Sequence, residues 1–216
     1  MKGKEAVLAT FRHEKTDDIP WVPFAGVHAG KLVGYTAREV YTDADKLTKA
    51  IEEAHRAYHP DGLPVMFDLQ IEAEILGCDL LWSNDAPPTV SSHPLEADPA
   101  IPDKLPQAGD GRIPIALDVA RRLVKTVGTT TALYGLFCGP FTLASHLRGT
   151  NIFMDMFDDP DYVQRLLAYC TEVSKRMADL YTEAGVDVLA SVDPLVSQIS
   201  PDHFAEFLNE PYTELF

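Results

Sequence analysis

The sequence predicts an α/β fold in which parallel strands are joined by helical crossovers. Three observations predict it. Short apolar segments alternate with amphipathic helical ones along all 216 residues, the order that βα units impose. The segments "LYGLF" (133–137) and "VDVLA" (186–190) lack strict polar alternation, as expected of strands covered on both faces. Between the strands, apolar positions recur every three or four residues, as one helix face requires. Two architectures satisfy this pattern: an open doubly wound sheet and a (βα)8 barrel. Four βα units are countable.

Taken in order, "KEAVLATFRH" (4–13) reads as a first helix and "DDIPWVPFAGV" (17–27) carries a first strand. A helix over 43–59 follows, with Leu47, Ala50, Ile51, Ala54 and Tyr58 on one face. "GLPVMFD" (62–68) is a second strand ending at Asp68, and "LQIEAEILG" (69–77) is a helix closed by Gly77 as C-cap. Residues 78–111 are rich in Pro, Asp, Ser and Gly and read as a hairpin followed by a wandering loop. "IALDVARRLVKTVG" (115–128) returns to helix, and "TTTALYGLFCG" (129–139) is a third strand. Gly139 lets the chain turn off that strand, and Pro140 opens a helix without wasting an amide hydrogen. The helix's free amides are expected to face the strand ends as a seat for an anion or a carbonyl. The longest helix begins near Asp159, runs through Val163, Leu166, Leu167, Cys170, Val173, Met177, Leu180 and Ala184, and ends at Gly185. "VDVLASVD" (186–193) is a fourth strand, and Ser200 and Pro201 cap and open the last helix.

Composition sets the limits. The chain is long enough for one domain with a substantial core, and 46% of its residues are hydrophobic. No apolar run reaches the roughly 18 residues of a membrane span, and the charged N-terminus lacks the apolar core of a signal peptide. A cytoplasmic protein is expected. Its net charge of −15 and pI near 4.7 argue against nucleic acid and anionic membrane surfaces as partners. Cys78, Cys138 and Cys170 are too few and too scattered for a disulfide framework. No Cys-x-x-Cys and no His-x-Cys occurs, so no zinc site can be read from spacing.

Parallel βα folds gather their chemistry at the carboxyl ends of the strands. His28 follows the first strand here. Asp68 ends the second, with Glu72 one turn on. Cys138 ends the third, with Thr142 and His146 beyond it. Asp193 ends the fourth, followed by Ser197. Each has an ordinary alternative. Asp68 can cap the next helix, His28 can be a solvated loop residue, and Cys138 can be a small buried apolar one. Glu72 can be solvated or salt-bridged, His146 a hydrogen-bonded core histidine, and Asp193 a turn residue. Their common placement on one rim favours the functional reading, with Asp68, His146 and Asp193 as catalytic candidates. His28, Glu72, Cys138, Thr142 and Ser197 are then candidates for contacting substrate.

The segments "MFDLQIEAEILGCDLLW", "GPFTLASHLRGT" and "EAGVDVLASVDPLVSQISPDHFAEFLNEPY" resemble the uroporphyrinogen decarboxylase superfamily. Within it, they look most like the corrinoid-dependent methyltransferases that methylate coenzyme M. The openings "KEAVLATFRHEKTDDIPWVPFAG" and "GRIPIALDVARRLVKTVG" fit as well, so the likeness covers nearly the whole chain. It implies a (βα)8 barrel with its active site in the mouth, a small-molecule substrate and a corrinoid carrier protein as partner. It also implies zinc holding a thiol substrate as thiolate. The family's His-x-Cys pair and later cysteine are not in this chain. Decarboxylases of the superfamily carry an arginine-rich "RQAGRY" motif where this chain has "FAGVHAGKL", and a tyrosine where it has His146. Asp68 matches the decarboxylase aspartate. Decarboxylation is therefore the second reading, and a non-catalytic fragment binding a corrinoid protein the third. A whole barrel needs roughly 250 residues, so residues 1–216 are expected to form a single domain, the N-terminal part of such a barrel with four βα units. Open sheet edges in such a part predict self-association or pairing with the missing half.

Overall fold

A computed structural model describes residues 2–216. Along the chain come helices α1 (Lys4–Phe11), α2 (Gly26–Leu32), α3 (Ala37–Thr42) and α4 (Ala44–Tyr58), then strand β1 (Gly62–Pro64) and α5 (Ile71–Ile75). The strands β2 (Leu80–Leu81) and β3 (Thr89–Val90) precede α6 (Ile113–Thr126) and β4 (Ala132–Cys138). Next are α7 (Pro140–Arg148), α8 (Asn151–Asp158), α9 (Pro160–Ala184) and β5 (Val188–Val192). A 3-10 turn (Pro194–Gln198) leads to α10 (Pro201–Phe207) and α11 (Asn209–Leu215).

The α/β class is the one expected. β1, β4 and β5 form one parallel sheet in that order, with Pro64 opposite Tyr134 and Tyr134 opposite Val188. β2 and β3 make the expected hairpin, with Leu80 opposite Val90. The expected first strand is not in the sheet. Its Trp21 shares one backbone hydrogen bond with Asp61 next to β1, Asp61 N–H to Trp21 O at 2.9 Å. Pro20 and Pro23 have no N–H to donate, so a ladder cannot continue. Three strands therefore pair in the parallel sheet among the described residues, not four. Three helices also form where none was expected: α2, which carries His28, α3, closed at its start by a Thr36–Glu39 capping box, and α8.

Helices cover one face of the sheet. Leu133 and Phe137 point into a core built with Leu47, Ile51, Ile113, Leu117, Val119 and Met177 from α4, α6 and α9. Gly135 lies beneath Tyr181 of α9, and a Cβ there would sit 2.5 Å from the ring. A second core joins α7, α8, α9 and α10 through Phe141, Leu147, Leu166, Cys170 and Phe207. The opposite face is much less covered. Ala132 and Tyr134 meet Val7 of α1 and half-buried Val22, Val188 and Ala190. A doubly wound sheet has helices on both faces; this one-sided cover is what a barrel wall would have. No described helix is long and apolar enough to cross a membrane.

Candidate functional site

The carboxyl ends of β1, β4 and β5 hold three linked groups of polar side chains. The first is an ion-pair network. Asp68 and Arg112 are both buried, and Arg112 Nη1 donates to Asp68 Oδ2 while its Nε donates to Glu74 Oε2 at 2.7 Å. The guanidinium carbon lies 5.0 Å from the centre of the Trp82 ring, within cation–π range. Asp68 Oδ1 accepts from the Gln70 amide at 2.8 Å, so Asp68 also steadies the start of α5. Burial raises the proton affinity of Asp68, and the Arg112 charge opposes it.

Glu72 forms the second group. It is neither solvated nor salt-bridged, the two ordinary roles expected of it. Its side chain is buried, and Oε1 accepts from the Cys138 amide at 3.0 Å while Oε2 has no partner. Burial pushes its carboxyl up to about 7. Cys138 is fully buried, and its carbonyl accepts from Ser174 Oγ at 2.9 Å. Burial, with Glu72 nearby, holds its thiol well above the ordinary value, which is the wrong direction for a nucleophile.

The third group occupies the start of α7. Asp193 Oδ1 accepts from the Thr142 amide (2.7 Å) and hydroxyl (2.5 Å), and Oδ2 from the Phe141 amide (3.0 Å) and the Tyr212 hydroxyl (2.8 Å). The anion seat expected there is filled by the protein's own carboxylate. Gly139 now has its reason: a Cβ would lie 2.4 Å from Asp193 Cβ and 2.5 Å from its Oδ2. Thr142 is buried, and its hydroxyl also accepts from the Leu195 amide at 3.2 Å.

Among the residues expected at and beyond the end of β4, His146 is the one that lines a cleft. It lines a cleft of about 380 Å³ with Gln70, His93, Ser145, Leu195 and Gln198. Burial lowers its pKa to about 4, helped by His93 and opposed by Asp193, and its Nδ1 is buried without a partner. Its ring is thus neutral near pH 7. His93 Nδ1 lies 2.7 Å from the His146 carbonyl oxygen. A carbonyl only accepts, so Nδ1 carries a proton and donates.

Asp68, Glu72, Cys138, Thr142 and Asp193 are therefore brought together, the first four buried and Asp193 half-buried. None of the five lines the His146 cleft. Ser197 is exposed and donates to the Pro194 carbonyl at 2.8 Å; its neighbour Gln198 faces the cleft instead. His28 stands apart from all of them. It is exposed on α2, with Nε2 at 2.7 Å from the Tyr58 hydroxyl, in a separate apolar cleft shared with Trp21 and Phe24.

Sequence reasoning passed over Arg112, Trp82, His93 and Tyr212. One signal was available for Arg112. It stands at the N-cap of α6, where the helix dipole disfavours a cation, so a carboxylate partner was implied. The residues present do not fit a zinc centre. All three cysteines are buried and free, and among the described residues no three His, Cys, Asp or Glu side chains are placed to hold a metal ion.

With this geometry in hand, similarity to known proteins can be stated. The uroporphyrinogen decarboxylase (URO-D) family matches residues 2–216. Two methylcobamide:CoM methyltransferases named MtbA, from Methanosarcina acetivorans and Methanosarcina mazei, are 28% and 29% identical over 216 residues. Those alignments take in 97% of this chain and 63% of each relative. A uroporphyrinogen decarboxylase from a Sulfurovum species is 26% identical over 68% of this chain and 44% of its own. A solved methyltransferase from Methanosarcina mazei superposes with a TM-score of 0.88 at 27% identity, over 98% of this chain and 65% of that one. The chain spans about 63% of the length of the MtbA relatives.

Proposed function

The chain belongs to the uroporphyrinogen decarboxylase family, and from that membership we propose that it is the N-terminal part of a (βα)8-barrel methyltransferase. The reaction is transfer of a methyl group from a methylated corrinoid, carried by a partner protein, to a small thiol acceptor. One observation carries the reading: near-complete alignment of the chain with methylcobamide:CoM methyltransferases. The residues agree with it. Residues 24–32 contain no arginine and a single cation, Lys31, so a substrate with many carboxylates would meet little compensating charge.

The roles divide by exposure. His146 offers a neutral imidazole to the cleft beside the His93 ring, and Gln70 and Gln198 offer amides, a lining suited to a polar ligand. Asp68 and Asp193 are engaged by internal partners and serve as positioning residues. Asp68 fixes the start of α5, next to Gln70. Asp193 fixes the start of α7, which carries Ser145 and His146. Cys138 and Thr142 hold the turn between β4 and α7. These residues supply no metal centre, so activation of the thiol is not assigned to them.

The test is the whole barrel protein that contains these residues, mixed with methylcobalamin and coenzyme M, with loss of the methylcobalamin spectrum as readout. Turnover is expected, and His146→Ala should reduce it about 100-fold with the circular dichroism unchanged. Decarboxylation of a porphyrinogen without methyl transfer would overturn the reading. Binding of a corrinoid protein with neither activity would instead identify a non-catalytic binding module.

A further inference from the structure

Arg112 was given no role in the sequence reading, yet it is the one buried lysine or arginine among the described residues. It sits where the α6 dipole opposes it and in surroundings that penalise any charge. Such a residue persists when its charge is needed by a partner. Its nearest partner is Asp68, whose side chain is sealed from solvent.

We propose that Arg112 is the positioning residue of Asp68: clamped by Glu74 and covered by Trp82, its guanidinium keeps the buried carboxyl ionised and fixed at the end of β1. The proposal rests on the methyl-transfer reading only in placing Asp68 at the working end of the sheet. The pairing itself is independent of the reaction.

The surroundings of Asp68 define what Arg112 offsets. From α5 come the carboxyls of Glu72 and Glu74; Glu74 raises the proton affinity of Asp68, and Asp68 in turn raises that of Glu72. From α3 comes Tyr41, whose hydroxyl donates to the Phe67 carbonyl at 2.7 Å, and from α9 comes Tyr181. Both tyrosines feel the charges of Asp68 and Arg112. Arg112 is the cation that opposes burial at Asp68. The Gln70 amide also favours the ionised carboxyl, but a single amide dipole cannot replace a full charge. Without Arg112, Asp68 would stand buried beside two carboxyls with no counter-charge, and it would take up a proton.

The experiment follows the side-chain carboxyl carbon of Asp68 by NMR across a pH titration, in the native chain, Arg112→Met and Arg112→Lys. The native protein should show Asp68 ionised near pH 7. Arg112→Met should raise its proton affinity by about 10- to 1000-fold, and Arg112→Lys should restore most of that shift. A purely structural Arg112 would lower stability in both variants and leave the Asp68 titration in place, which would overturn the proposal. If Arg112→Met does not fold, the native chain still decides, because a protonated Asp68 near pH 7 refutes the assignment. Failure of methyl transfer leaves this titration unaffected, so the two ideas fall separately.

Discussion

Glu72 shows how strongly burial alone acts on one side chain. Its proton affinity is raised from an ordinary value of 4.5 to about 7. Stability from this group is therefore full below about pH 4.5 and is lost as pH rises through about 7. The whole effect is on the order of 3 kcal/mol. His146 works the other way: its depressed pKa of about 4 contributes stability above 6.5 that is lost as pH falls. A comparison with Glu72→Gln separates the two, since both proteins keep His146. Between about pH 5 and pH 8, the native chain should lose more unfolding free energy than the variant, as measured by urea denaturation. Equal slopes would place the Glu72 proton elsewhere. At this scale the sequence was legible in part. Asp68, Glu72, Cys138, Thr142 and Asp193 do gather at the strand ends, because parallel strands deliver their last residues to one side. Their internal pairing was not legible, because Arg112 lies 44 residues from Asp68, Trp82 lies 30 from Arg112 and Tyr212 lies 19 from Asp193.

Among elements, the start of α7 depends on Asp193 more than on its own sequence. Removing that carboxylate frees the amides of Phe141 and Thr142 and the hydroxyl of Tyr212. Asp193→Ala should cost about 3 kcal/mol, and Tyr212→Phe about 1 kcal/mol, in the midpoint of a denaturant titration. If Asp193→Ala costs no more than Tyr212→Phe, the α7 amides find other partners and the latch is unimportant. The long helices α4, α6 and α9 were legible because 14 or more residues repeat one apolar face. The short α2 and α3, of 7 and 6 residues, give too few turns for a period to emerge. "TARE" at 36–39 was nevertheless a readable helix start, since Thr36 and Glu39 have capping-box spacing. Residues 17–27 failed as a strand because their apolar character is interrupted by Pro20 and Pro23.

For the molecule as a whole, β5 is the outer strand of its sheet, and Leu189 on it is exposed. Ile19, Trp21 and Phe24 beside β1 are exposed as well. Unpaired strand groups next to apolar side chains favour strand addition. We expect concentration-dependent association in sedimentation velocity, reduced by Leu189→Lys. A compact monomer at every concentration would contradict the open-edge reading. The α/β class was legible at this scale from strand–helix alternation. The number of paired strands was not, because pairing depends on backbone donors that proline removes. The contact between Tyr212 and Asp193 also reaches beyond local stability. Tyr212 stacks on exposed Phe216 at 6.0 Å between ring centres, so α11 is mechanically tied to the base of the helix bearing His146. A substitution that loosens this ring stack would be felt at the cleft, which makes α11 a remote handle on the binding chemistry.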